Sequence, residues 1–165
     1  GDEVLIYDTS ASALRKMTRT NFVSGISNTP IFRAYRNSSV TLSSGTNTIV
    51  TFDQENIDTG SMYDTSNGKF TPTEAGKYYV FAMVSWDLGG GINYVELRKN
   101  GSNISSNYTN ISSLASGRYV FHIHNIVEAD GDDYFEINVY QGSGSNKTLH
   151  SGTSNTFFGG YKLVE

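Results

Sequence analysis

An all-β chain, folded as a two-sheet antiparallel sandwich or jelly roll, is what the sequence predicts, on three observations. Short apolar and aromatic runs recur along most of its length, separated by clusters of Gly, Asn, Asp and Ser. Beyond residue 25 no apolar pattern of useful length repeats at a helical period. Asn100-Gly101, within ELRKNGSNIS, is the favoured pair for a tight hairpin turn. Composition agrees, with 17 Gly, 11 Tyr and 9 Phe but only 2 Pro. A length of 165 residues suits one ordinary domain with a short appendage.

The opening stretch, GDEVLIYDTSASALRKMTRTNFVSG, stands apart. VLIYD predicts a short strand closed by Asp-Thr-Ser. SASALRKMTRTNF predicts a brief helix, with Leu14 and Met17 three apart and Ser10 or Ser12 as its N-cap. Nothing within the segment covers Val4, Ile6, Leu14 and Met17. A connector over residues 1–29 is therefore expected, its burial completed elsewhere, ahead of a head over residues 30–165, with GISNTP at the boundary. Strands are expected near Ile31–Tyr35, Thr48–Phe52, Lys77–Trp86, Asn93–Lys99, Arg118–Val127, Tyr134–Tyr140, Thr148–Ser151 and Thr156–Leu163.

The strand in NGKFTPTEAGKYYVFAMVSW poses a packing question. A sandwich strand alternates, with one face for the core and one for water. Here Tyr78, Val80, Ala82, Val84 and Trp86 share one face, yet the other carries Tyr79, Phe81, Met83 and Ser85. Two-faced aromatic patterns recur in YFEINVY, around Tyr134 and Tyr140, and in TFFGGYKL, around Phe157 and Tyr161. A monomer rarely leaves so large an apolar face bare, so an obligate oligomer is expected, against the plainer alternative of scattered surface tyrosines.

Spacing adds a resemblance. Phe52 is followed, after five residues, by Asp58, after four by Tyr63, after six by Phe70, and after five by Gly76, which is followed by Lys77 and Tyr78. This resembles the signature of the complement C1q-type globular domain, the trimeric jelly roll shared with tumour-necrosis-factor-like ligands. YDTSNGKFTPTEAGKYYVF, GDDYFEINVY and TFFGGYKL are similar to its central, later and closing strands, so the likeness runs from about Pro30 to Leu163. It implies a homotrimer in which Tyr79, Phe81 and Met83, with Tyr134, Tyr140, Phe157 and Tyr161, meet neighbouring subunits. It also implies core or interface places for Phe52, Tyr63, Phe70 and Tyr78, and a turn role for Gly76. The chain departs from the pattern at Val80 and Ala82, where the family carries aromatics, which implies a repacked core. It departs again in SNYTNISSLASG, which lacks the acids with which many members bind calcium.

Several chemistries are excluded or disfavoured. With no cysteine there is no disulfide, thiolate zinc site or cysteine nucleophile. A net charge of -4 argues against nucleic acid, and no apolar run is long enough to insert in a membrane. There is no Gly-x-Ser-x-Gly elbow, no cofactor is expected, and the glycines of LGGGIN and FFGGY lack the strand-to-helix context of a phosphate cradle. Asp130, Asp132 and Asp133 read as turn chemistry rather than an acid pair, and Asp53, Glu55 and Asp58 form a looser set. His122 and His124 share a strand face. The ordinary reading is two satisfied or solvent-facing imidazoles; the alternative is three such pairs around a threefold axis, holding an octahedral transition metal. The Asn-x-Ser/Thr sequons follow from composition.

EVLIYDTSASALRKMTRTNFVSG is similar to the connectors that precede receptor-binding tips in bacteriophage tail fibres and virion appendages. Together the two resemblances imply a non-enzymatic, extracellular virion head that attaches to a host-cell surface glycan or protein. Candidate contacts lie in polar, aromatic-bearing segments expected to be loops: Asp87, Asn93, Asn107, Tyr108 and Asn110. The alternatives are a trimerisation or capping unit with no receptor of its own, and a secreted C1q-like lectin or ligand.

Overall fold

The computed structural model describes residues 3–18, 30–112 and 117–163. Every helix or strand among them is a strand. Two of these, β1 (Glu3–Asp8) and β2 (Ala13–Thr18), make a hairpin of their own. The expected helix over SASALRKMTRTNF is thereby overturned in its described part. Asp8 Oδ1 accepts hydrogen bonds from Ser10 N at 3.0 Å, Ser10 Oγ at 2.5 Å and Ala11 N at 3.1 Å. Ser12, at a φ of 50°, then reverses the chain. Ser10 is thus a donor in a turn and caps no helix. In a strand, residues three apart face opposite ways, so Leu14 pairs with Tyr7 and Met17 with Val4. Ion pairs Arg15–Asp8 (3.1 Å) and Lys16–Glu3 (2.8 Å) cross the hairpin. The rest of that reading, and the expected boundary at residue 29, lie outside the described residues.

The sandwich begins at β3 (Ile31–Tyr35). Its first sheet runs β4 (Val40–Leu42), β14 (Lys147–Leu149), β9 (Gly76–Asp87), β15 (Phe157–Lys162), β3, β6 (Gln54–Asp58), and β12 (Arg118–Ala129) lies on the other side of β9. The second sheet runs β11 (Ser102–Ile111), β10 (Gly91–Lys99), β13 (Phe135–Gln141), β8 (Lys69–Phe70), β7 (Tyr63–Asp64), with β5 (Thr48–Ile49) also paired to β13. All pairings are antiparallel. Where β11 and β12 end their sheets, side chains bridge them: Asn107 Nδ2 donates to the His122 carbonyl (3.0 Å) and Tyr119 Oη to Thr109 Oγ1 (3.3 Å).

Alternation on β9 sorts as the sequence requires. Tyr78, Val80, Ala82, Val84 and Trp86 are buried between the sheets with Phe32, Phe52, Phe70, Phe121, Phe135, Ile137, Val139 and Phe158. Trp86 stacks on Phe121 at 4.4 Å between ring centroids. The spaced signature residues each have a physical task. Phe52, Phe70 and Tyr78 are fully enclosed, and Tyr63 stacks against Phe32 at 5.5 Å while its hydroxyl accepts the Phe52 N–H at 2.9 Å. Burial pushes the Tyr63 phenol far above its ordinary value, so it remains protonated. Asp58 stitches the following loop by accepting from Gly60 N, Met62 N and Tyr63 N at 2.9–3.1 Å. Gly76 enters β9 at a φ of 143°, a conformation that L side chains rarely adopt, and an added Cβ would also stand 2.7 Å from Lys162 Cε.

The Asn100-Gly101 hairpin forms, both residues at positive φ (52° and 78°), joining β10 to β11. The eight expected strands are present, Ile31–Tyr35 with its ends unchanged and the others with shifted ends; Thr48–Phe52 shortens to β5 and Thr148–Ser151 becomes β14. The expectation omitted β4, β6, β7, β8 and β11. Of these, β11 (SNISSNYTNI) is mostly polar and, bordering its sheet, leaves Ile104 and Tyr108 exposed, so it shows no clear alternation to read.

Candidate functional site

The register of β12, β9, β15 and β3 assembles one continuous outer face. His122 lies opposite Met83, His124 opposite Phe81 and Ile126 opposite Tyr79. Across β9, Phe157 faces Met83 and Tyr161 faces Tyr79. Tyr79, Phe81, Met83, Phe157 and Tyr161 thus meet on one surface. Their rings touch: Tyr79–Phe81 at 5.7 Å, Tyr79–Tyr161 at 5.6 Å and Phe81–Phe157 at 6.3 Å. Gly159 lies beneath the Phe81 ring, where an added Cβ would stand 2.7 Å from Cζ. Arg33 covers Phe157 at 4.5 Å. Exposed Val120 and Ile126 extend the patch along β12, and exposed Ile57, opposite Arg33, extends it along β6. In its middle is a half-open depression of about 300 Å³ lined by Tyr79, Phe81, Ala82, His122, Ile123, His124 and Phe157.

The other two aromatics expected here are elsewhere. Tyr134 precedes β13 and Tyr140 lies in it, inside the second sheet, whose outer face points away from β9. Alternation told which strand face each occupies, and nothing local told which sheet. The single interface expected of seven residues therefore divides into five on one side of the sandwich and two on the other.

His122 and His124 share a face as their spacing requires, the His124 ring 6.0 Å from Tyr79. Among the described residues no group of three or more His, Cys, Asp or Glu converges on one point.

The expected contact residues scatter. Asp87, at the end of β9, bonds His150 Nε2 at 2.7 Å. Burial pushes its carboxyl up, but hydrogen bonds from His150 and Thr148, with the His150 charge, together outweigh this and leave it below its ordinary value. Asn93 is 2% exposed and turned inward: its Oδ1 accepts from Trp86 Nε1 at 3.3 Å, and its Nδ2 donates to the Gly91 carbonyl at 3.0 Å. It braces the core and offers solvent nothing. Asn107, Tyr108 and Asn110 lie in β11 rather than a loop. Asn107 is engaged with β12, whereas Tyr108 is 56% exposed.

The acidic turn is structural. Asp133 takes Lys99 Nζ at 2.7 Å, Asn100 Nδ2 at 2.7 Å and Asp130 N at 3.0 Å. The Lys99 ammonium, with these amides, holds its carboxyl down at about 2. Asp53 likewise accepts the Asn37 N–H at 2.6 Å.

Comparison with known proteins agrees with this architecture. No curated protein matches the chain in sequence. The globular domain of zebrafish complement 1qA protein superimposes with a TM-score of 0.60 at 18% identity, over 82% of this chain and 98% of that one. Murine APRIL gives 0.64 at 12% identity, over 81% and 98%. Eiger TNF from S. frugiperda gives 0.61 at 8%, over 82% and 92%. At these identities the likeness is one of fold. The sequence itself goes further, because residues 31–163 match the model of the C1q domain, and the chain belongs to that family.

Proposed function

We propose that this chain is a homotrimeric, non-enzymatic recognition head, carried on a bacteriophage tail fibre or related virion appendage, that attaches to a host-cell surface by multivalent binding. The observation that carries the trimer is the outer face of the first sheet. Rings of Tyr79, Phe81, Phe157 and Tyr161 adjoin exposed Val120, Ile126 and Ile57, with His122, His124, Arg33 and Asn56 as polar neighbours. A patch of this kind suits burial against another protein surface, and tyrosine keeps its polar tip hydrated at the rim. The C1q and tumour-necrosis-factor-like relatives supply the threefold arrangement. The appendage context rests on the N-terminal hairpin: exposed Leu5, Tyr7 and Leu14 on a lone two-stranded sheet need cover that neighbouring copies in a fibre would supply. Three modest sites on one tip, repeated over several fibres, then multiply weak affinities.

Light scattering at micromolar concentration tests the assembly. A mass near three times 18.1 kDa is expected. A folded monomer overturns the trimer and the multivalent mechanism with it. For the recognition role, the purified head is expected to compete with intact virions for adsorption to host cells. A head that saturates no cell surface leaves only a trimerisation unit.

A further inference from the structure

The opposite side of the sandwich carries a different kind of surface. On the outer face of the second sheet, Tyr108 of β11, Tyr94 of β10 and Tyr140 of β13 stand directly across from one another on adjacent strands. Tyr94 and Tyr140 stack almost parallel, their centroids 4.9 Å apart and their planes within 6°. The next row along the same strands is Ser106, Glu96 and Asn138, and here the polar groups are fixed. Glu96 Oε2 accepts Arg98 Nε at 2.8 Å and Asn138 Nδ2 at 2.9 Å, while Oε1 accepts Asn103 Nδ2 at 2.9 Å. Asn47 Oδ1 takes both Tyr94 Oη (2.9 Å) and Asn138 Nδ2 (2.8 Å). One valence is left over. Asn138 Oδ1, on a side chain 0% exposed, has no partner. Asn138 is fully enclosed, so its part is to hold Glu96 and Asn47 in place.

The geometry points to a glycan-binding platform for neutral pyranose chains: the rings of Tyr108, Tyr94 and Tyr140 receive the apolar C–H face of a sugar, and a fence of Glu96 and Asn47, braced by buried Asn138, receives its hydroxyls. Three features carry this. Tyrosine rings in a row offer the flat apolar contact that a pyranose face requires, with a hydroxyl at each ring edge. Carboxylate and amide groups already held in place by one another lose little freedom when a ligand binds. The charge balance selects the sugar class. Arg98 is committed to Glu96 by a second contact of 2.7 Å, so a sulfate, phosphate or carboxylate substituent would have to compete with that carboxylate for it. The same polarity makes this face a poor subunit interface, since dehydrating Glu96 and Asn47 against protein opposes what the rings return. The inference deepens the recognition reading and rests on it.

Calorimetry on the full chain, with mannan-, glucan- and galactan-derived neutral oligosaccharides and chondroitin sulfate as the anionic control, tests the platform. Binding to at least one neutral oligosaccharide is expected, weakened at least tenfold in both Tyr108→Ala and Tyr140→Ala at unchanged trimer mass. Tyr108 is the safer of the two for folding, being exposed at the border of its sheet. The platform is overturned by the absence of neutral-glycan binding, by undiminished binding in Tyr108→Ala, or by preference for chondroitin sulfate. Cell adsorption separates the two claims: if both variants adsorb as the unaltered head does, the platform fails while the recognition role stands. If the unaltered head adsorbs to no cells, the recognition role itself fails.

Discussion

Both outer faces of this sandwich carry tyrosine rows, and the difference lies in what stands between the rings. On the first sheet, Tyr79, Phe81, Phe157 and Tyr161 have Met83, Val120 and Ile126 for neighbours, and a cation, Arg33, is laid over a ring. On the second, Tyr94, Tyr108 and Tyr140 are set beside a carboxylate and amides already bonded to one another. An aromatic face with apolar filling is stabilised by exclusion of water over its whole area, which another protein surface provides. An aromatic face with a fixed polar fence keeps its hydration except where a ligand replaces water bond for bond. Ring counts alone do not separate the two cases.

The largest effect should come from breaking the first face. Phe81→Asp places a charge in the middle of the ring cluster beside Gly159, and loss of the trimer is expected, with light scattering reporting monomer mass and circular dichroism an intact sandwich. Tyr108→Asp on the other side should leave the mass unchanged. Dissociation by Tyr108→Asp instead would erase the division of labour between the faces.

A smaller effect is expected where the first face meets its own backbone. In Gly159→Ala the new Cβ would stand 2.7 Å from Phe81 Cζ and 3.1 Å from the Phe32 carbonyl, so the ring must move. Overpacking of this kind costs about 1–3 kcal/mol, readable as a lower urea midpoint. Trimer affinity should fall in parallel, because the displaced ring belongs to the assembly surface. A stability loss with unaltered assembly would show that Phe81 contributes to the protomer alone.

The sequence reached the first face more fully than the second, for a physical reason. Strict alternation in KYYVFAMVSW separates Tyr79, Phe81 and Met83 from the core residues between them, and the structure keeps that separation. Period two assigns a residue to a side of its strand, but the sheet a strand joins is set by long-range pairing. Tyr134 and Tyr140 therefore read as companions of Tyr79 until β13 is seen to pair with β10. Tyr94 gave no signal as a site residue, since its importance comes from Tyr140, Tyr108 and Asn47, distant in sequence. Asn93 misled because Asn beside glycines suits a loop, whereas its amide is needed by Trp86. The N-terminal segment misled through a three-residue spacing that fits a helix turn, while the Asp8 side chain made a reversal there instead.

The finest distinction between the faces is whether the second is ordered by its rings or by its fence, and Tyr94 bears on both. Tyr94→Phe keeps the stack on Tyr140 and deletes only the donor to Asn47 Oδ1, which retains its bond from Asn138. A net loss of about 0.5–1.5 kcal/mol in unfolding free energy is expected, typical of one hydrogen bond. Asn47→Ala removes the shared acceptor and leaves both Tyr94 Oη and one Asn138 bond unmade, so it should cost more than Tyr94→Phe. That ordering would mean that the carboxylate and amides hold the rings in place, as a preordered binding surface requires. A neutral result for both variants in urea unfolding would mean that the stacked rings order this face unaided, and the fence would then lose its claim to preorganisation.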